Sequence, residues 1–388
     1  MEKRIWPQDY INRIICGDCL EVMREMDAES VDMCLCSPPY WGLRDYGVEQ
    51  IFGGDADCEH EWSGQVVHDI REEIVHAKSR TTDRYWGDDK TKTFDGNHQK
   101  HKSELYCSKC HAWKGQLGLE PTPEMYIEHM TQVFHEVKRV LKKKGTLWIV
   151  IGDTYSGSGK GSGDDKPDPK FKGGGRERTL KADRNNSLPA KCLCMIPERL
   201  AWSLIQDGWI LRNKIIWYKP NGMPSSVKDR FSNKWEYLYL FSKNKKYYFD
   251  LDAVREPHSR EWGEEAWAKN GRSQDAKASQ LAVSKTYGLT GTGFLYGCSQ
   301  NPLGKNPGDV FTIPTQPFPE AHFAVFPEKL CEKPIKAGCP ERGVVLDPFC
   351  GAGTTCYIAK EMGRRYLGID VKSEYVKMSD HRLAQGVL

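Results

Sequence analysis

The sequence has no apolar run long enough to cross a bilayer, which argues against a membrane-spanning helix. Its start, MEKRIWPQDYINRIICGD, lacks the apolar core of a secretory signal, so a cytosolic location is expected. Fourteen cysteines without such a signal predict reduced thiols, some of them on metal, rather than a disulfide framework. There is also little charge of one sign. A net charge of +3 over 388 residues does not by itself mark a nucleic-acid partner, and any basic surface must be local. No helicase or nuclease motif occurs, and the full G-x-G-x-x-G of a dinucleotide fold is missing.

What is present reads as strands alternating with helices. NRIICGD, CLEVMREMDAES and VDMCLC predict strand, helix and strand. TPEMYIEHMTQVFHEVKRVLKKKG predicts an amphipathic helix with Thr122 as N-cap, Pro123 at its first position, and a basic last turn stopped by Gly145. TLWIVIGD follows as a buried strand, IPERLAWSLIQDGW as a helix and ILRNKIIWYKP as a strand, with WEYLYLFSK and YYFD as a hairpin. RGVVLDPFCGAGTTCYIAKEMGRRYLGIDV is again strand, Gly-rich turn, helix and strand. This alternation predicts an α/β fold with a doubly wound, mostly parallel sheet. Three stretches break the pattern. Residues 52–115 are rich in His, Asp, Lys and Cys. Residues 156–191 carry seven glycines and nine Lys/Arg against five Asp/Glu, and read as a mobile basic loop. Residues 253–307 are polar and poorly periodic.

Two turns carry the chemistry. In VVLDPFCGAGTT a β-branched strand turns through Gly351 and Gly353 into a helix at Thr354, so the backbone can approach a ligand at the sheet edge. The next strand, YLGID, ends in Asp370, placed to accept hydrogen bonds from two ribose hydroxyls. The other turn is CSPPYWG, residues 36–42. Two prolines cannot continue a core strand, because each lacks an N–H and fixes φ. They end it with a stiff turn that presents Ser37, Pro38, Pro39 and Tyr40.

Together, SPPYWG and DPFCGAGTT resemble the amino-methylating DNA methyltransferases, which move a methyl group from S-adenosylmethionine to the exocyclic amine of cytosine or adenine. The order of the motifs is similar to the permuted β group of that family. The resemblance implies a circularly permuted methyltransferase fold in three pieces, 1–51, 116–252 and 308–388, with 52–115 inserted and 253–307 as target-recognition region. It implies that Asp347, Phe349, Gly351, Gly353 and Thr354 form the cofactor loop, with Asp370 as ribose acid. Asp18 and the segment HFAVFPEKL, with His322 and Phe326, would complete the cofactor site. Ser37 Oγ and the Pro38 carbonyl would hold the target amine, and Tyr40 would stack on a base rotated out of double-stranded DNA. Within the family SPPY is typical of cytosine-N4 enzymes and DPPY of adenine-N6 enzymes, so cytosine is favoured and adenine is the alternative. Lys228, Arg230 and Lys234 are candidates for phosphate contacts, with Trp217 and Tyr218 toward the pocket. Asp153 reads as either a pocket residue or a helix cap. A cognate restriction endonuclease would have to be a separate chain.

Cys58-x-His60 followed by Cys107-x-x-Cys110 supplies four ligands of the kind that hold structural zinc. His68, His76, His98, His101 and His111 are rival ligands, and unrelated reduced thiols are the plain alternative. Zinc is favoured because the segment has little apolar content with which to fold unaided.

Overall fold

The computed structural model describes residues 5–55, 57–63, 106–157, 188–222, 224–225, 227–258, 301–316 and 326–385. Contacts divide the chain into two units, Met1–Pro38 with Thr131–Asp153 and Met195–Leu388, and Pro39–Met130 with Thr154–Cys194.

The first unit is built on β1 (Arg13–Cys16), β2 (Val31–Cys36), β7 (Leu141–Ile151), β8 (Ile210–Tyr218), β9 (Trp235–Ser242), β10 (Val310–Thr312), β11 (Val344–Asp347) and β12 (Arg365–Asp370). Their order is β1-β12-β11-β2-β7-β9-β8-β10. Only β9 runs against the rest; the other strands all point the same way and share one carboxyl edge. The central strands read as unbroken apolar runs because helices cover both faces of a parallel sheet: Val344–Asp347 is buried throughout, as is Cys34 to Cys36.

Helices α1 (Cys19–Arg24), α3 (Ile196–Gln206), α4 (Glu328–Gly338) and α5 (Thr354–Glu361) lie between these strands in the chain, α6 (Ser373–Gln385) follows β12, and α2 (Pro123–Val140) spans the boundary of the two units. Thr122 caps α2 as expected, its Oγ1 accepting from the Met125 N–H at 3.2 Å. Among the described residues no helix is long and apolar enough to cross a membrane.

Two sequence expectations are corrected. The helix stops at Val140 rather than at Gly145, and LKKKG opens β7. The cause is tertiary: Leu141 pairs with Val31, and Lys142 Nζ binds both Asp32 carboxylate oxygens at 2.9 Å, which draws the segment into the sheet. The hairpin is also not WEYLYLFSK with YYFD. It is β8 with β9, and β9 lies between β7 and β8, so no free edge is left for a YYFD strand.

The second unit holds a small antiparallel sheet, β3 (Gln50–Phe52), β6 (Trp113–Gly115), β5 (Tyr106–Cys107) and β4 (Trp62–Ser63) in that order. The basic stretch 158–187, most of the insert between Gln65 and Glu104, and 259–300, most of the stretch expected to recognise the target, lie outside the described residues.

α4 packs closest to the sheet at Gly338, where an added Cβ would stand 2.6 Å from Trp148 Nε1 and 2.9 Å from Thr146 Oγ1. Both neighbours are buried and hydrogen-bonded, so neither can yield easily. Gly338→Ala is therefore expected to destabilise the fold by about 1–3 kcal/mol, read as a lowered Tm; an unchanged Tm would contradict this packing.

Candidate active site

Four neighbouring strands place their last residues along the carboxyl edge: β1 leads to Asp18, β12 ends in Asp370, β11 leads into 347–353, and β2 leads to Ser37. The glycine turn is braced from below. The Gly351 N–H donates to Asp370 Oδ2 at 2.8 Å, and the Lys372 N–H to Oδ1 at 2.9 Å. Gly351 and Gly353 have φ of +52° and +74°, where a side chain would be strained, and a Cβ on Gly353 would press on Ser379 at 3.0 Å. Ser379 Oγ in turn donates to the Gly351 carbonyl at 2.6 Å. Thr354 is buried at the start of α5, its Oγ1 accepting from Arg382 Nη1 at 2.9 Å.

Asp347 is fully buried beneath the turn and accepts from the Phe349 N–H at 3.0 Å. Burial pushes its carboxyl up to about 7 against that hydrogen bond. Burial likewise raises Asp370, opposed by the Lys372 and Gly351 N–H groups. Asp18 caps α1, its Oδ1 accepting from Leu20 N at 2.8 Å and Glu21 N at 3.1 Å. Phe326 is half-buried against the sheet core; His322 lies outside the described residues.

Ser37 follows the buried end of β2 and is half-buried, while Pro38 is buried. The second unit begins at Pro39. There the Pro39 carbonyl accepts from Tyr126 Oη at 2.8 Å, and the Gly42 N–H donates to the Gly118 carbonyl at 2.6 Å. Tyr40 is half-exposed, whereas Trp41 is buried and donates Nε1 to the Glu120 carbonyl at 3.0 Å. Of the two aromatic residues in the motif, Trp41 is the buried anchor and Tyr40 is the less buried.

The β8–β9 turn reaches the same edge, because β8 runs parallel to β2 and β7. Lys228 and Arg230 are exposed there. Lys234 instead donates to the Gly222 carbonyl at 2.7 Å, tying the turn together. Trp217 is buried and donates Nε1 to the Ile313 carbonyl at 2.8 Å, while Tyr218 is half-exposed opposite Trp235. Asp153 is a helix cap: it accepts from Met195 N and Ile196 N at 3.0 and 3.1 Å.

The chain matches the family of N6- and N4-methylating DNA methylases over residues 31–381. It belongs to that family. It is 32% identical to the Type II methyltransferase M.SmaI of Serratia marcescens, covering 96% of this chain and 90% of that protein. It is 30% identical to M.XycI of Xanthomonas campestris pv. cyanopsidis, covering 99% and 92%. The fold is similar to that of the PvuII DNA methyltransferase (cytosine-N4-specific), with a TM-score of 0.53 at 15% identity over 97% of this chain and 87% of that one.

Sequence reading missed two features of this DNA methylase. Phe231, beside Arg230, is 95% exposed, with Val227 in the turn and Trp235 at the start of β9 partly exposed nearby in sequence. Its only sequence signal is an apolar residue amid polar and basic ones. The other is a buried hydrogen-bonded pair, Glu120 with His129, whose Oε1 and Nδ1 lie 3.0 Å apart. Burial raises the Glu120 carboxyl, and His129 opposes the shift.

The four predicted metal ligands meet in the second unit. Among the described residues Cys58, His60, Cys107 and Cys110 place their ligand atoms within 4.8 Å of one another. Burial raises the Cys107 thiol, but the N–H groups of Cys110 and Lys109 and the His60 ring outweigh it and hold it at about 5. A thiolate is the form that binds metal. His111 is outside the group, and the other rival histidines lie outside the described residues.

Asp347 generates a pH prediction. Its folded pKa lies above its unfolded value, so its contribution to stability is fully present below about pH 4 and is lost as pH rises through about 7. Asp347→Asn removes that dependence. The variant should therefore gain stability relative to wild type between about pH 4 and 7, by on the order of a few kcal/mol. Parallel Tm–pH curves for the two proteins would contradict it.

Proposed function

We infer that the chain transfers a methyl group from S-adenosylmethionine to N4 of a cytosine rotated out of double-stranded DNA. The observation that carries this reading is Ser37-Pro38 at the end of β2, on the same edge as the glycine turn and Asp370. The residues fit the cofactor by the chemistry of their donors and acceptors. The Asp370 carboxylate, at the end of the strand beside the turn, offers acceptors to ribose hydroxyls. The two positive-φ glycines leave the loop free of side chains.

When bound, the cofactor supplies an electrophilic sulfonium methyl. The rest is done by the chain's own residues. An aromatic exocyclic amine is a weak nucleophile because its lone pair is delocalised into the ring. Its two N–H groups donating to Ser37 Oγ and the Pro38 carbonyl favour a pyramidal nitrogen with that lone pair available. The prolines keep both acceptors in place before the base arrives, so catalysis rests on preorganisation rather than on a strong base. Tyr40 stacks on the extrahelical base. A neutral Ser37 hydroxyl can also donate to cytosine N3, which an ionised aspartate could not.

At the β8–β9 turn, Lys228 and Arg230 face DNA phosphates, and the exposed Phe231 ring lies against a base step opened by extrusion. Any cognate endonuclease acts as a separate chain.

Ser37→Ala should leave S-adenosylmethionine affinity near wild type in calorimetry while lowering the methylation rate by about a hundredfold, the scale for loss of one preorganised polar partner. Asp370→Ala should show the reverse emphasis, with clearly weakened cofactor binding. Full activity in Ser37→Ala would overturn the mechanism. Unchanged affinity in Asp370→Ala would remove that residue from the site.

A further inference from the structure

The Cys/His cluster and the Pro39–Trp41 segment belong to the same compact unit, and a continuous set of contacts joins them. Cys107 ends β5 and Cys110 lies in the β5–β6 turn, closed by the Cys107 N–H donating to the Ala112 carbonyl at 2.9 Å. The chain before Cys58 passes against this turn. At Gly54, which has φ +73°, an added Cβ would stand 2.7 Å from Cys110 Sγ. On β6, Trp113 stacks on His129 with ring centroids 5.3 Å apart, and Phe52 of β3 stacks on the same imidazole at 4.4 Å. His129 Nδ1 meets Glu120 Oε1 at 3.0 Å, and Glu120 Oε2 accepts from the Gly118 N–H at 2.8 Å. Gly118, with φ +93°, packs tightly beside the catalytic turn: an added Cβ would lie 3.1 Å from Pro39 Cβ and 3.3 Å from the Tyr40 carbonyl. The Glu120 carbonyl holds the Trp41 indole.

All four ligand atoms lie within 4.8 Å of one another, and two of their spacings are close to the edges of a tetrahedral metal site. Cys58 Sγ and Cys107 Sγ are 3.9 Å apart, and Cys110 Sγ and His60 Nδ1 are 3.3 Å apart. Zn–S and Zn–N bonds of about 2.3 and 2.0 Å place sulfur atoms roughly 3.8 Å apart, and sulfur and nitrogen roughly 3.5 Å apart. A disulfide would need about 2.05 Å. Among the described residues two strands of this sheet show two residues each, Trp62–Ser63 and Tyr106–Cys107, so an added cross-link has much to hold. No described acid joins the group to act on a bound water.

We propose that Cys58, His60, Cys107 and Cys110 hold one structural zinc ion, and that this ion, through the Phe52–His129–Trp113 stack and the Glu120–His129 pair, fixes the Pro39–Trp41 segment. The ion is thus a remote brace for the aromatic half of the catalytic turn. Glu120 and His129 are positioning residues that touch neither cofactor nor base. No residue of the stack or the pair belongs to the glycine turn or is Asp370, and the brace acts on the methylation rate and not on cofactor affinity. This second part rests on the methyltransferase reading; the metal site itself does not.

The test measures metal content, cofactor affinity and methylation rate on the full chain. Elemental analysis of wild type should give about one zinc per chain, and Cys58→Ser and Cys110→Ser should lose most of it. Their S-adenosylmethionine affinity should stay within about twofold of wild type, while the methylation rate falls by about tenfold or more. Glu120→Gln avoids disturbing the ligands: it should keep its zinc and its cofactor affinity and still lose rate. A folded, active wild type without zinc overturns the site. Wild-type rates in zinc-depleted variants, or in Glu120→Gln, overturn the brace. A wild type that holds zinc but methylates no DNA overturns the methyltransferase reading, and the brace with it.

Discussion

Parallel pairing of β1, β12, β11 and β2 is the constraint on which the larger unit's chemistry depends. Registers such as Ile15↔Ile369, Leu346↔Leu367 and Leu346↔Cys34 set these strands side by side and pointing the same way. Every strand then delivers its following turn to one edge. Four turns that are far apart in sequence become neighbours there, each beginning where the ladder of backbone hydrogen bonds ends. Polar backbone groups and short acidic side chains are thus exposed above an apolar floor, the usual place for ligands in an open α/β sheet.

The floor also sets the electrostatics. Asp347 is buried under the glycine turn, so its ionised form is disfavoured; burial raises Asp370 in the same direction, and Asp370 spends part of its hydrogen-bonding capacity on the Gly351 and Lys372 N–H groups. The same carboxylate that the proposed mechanism assigns to the ribose therefore also fixes the shape of the loop. A residue with both duties is hard to replace, because a change alters the ligand contact and the loop together.

Much of this was legible in the sequence, for a physical reason. Buried parallel strands need continuous apolar runs, and VDMCLC, TLWIVI and GVVLD are such runs. Sharp turns into helices need glycine or proline, and DPFCGAG and SPPY advertise both. What failed was decided by distant partners. The end of α2 depends on Asp32, more than a hundred positions away, capturing Lys142. The partner of WEYLYLFS is ILRNKIIWY rather than YYFD because β7 already occupies its other side. Asp153 offered two readings, and only the position of Met195 and Ile196 makes it a cap. Phe231 looks like any core phenylalanine until its exposure is seen. The Glu120–His129 pair joins ordinary helix and loop residues whose burial no local pattern announces.

The central claim is that an amine held at Ser37 and Pro38 is methylated, and that the amine is cytosine N4. It is tested most directly by incubating double-stranded DNA with the purified chain and isotopically labelled S-adenosylmethionine, then identifying the labelled nucleoside by mass spectrometry. The account predicts N4-methylcytosine as the labelled product. Label in N6-methyladenine would contradict the base assignment, and no labelled nucleoside in DNA of varied sequence would contradict the account as a whole.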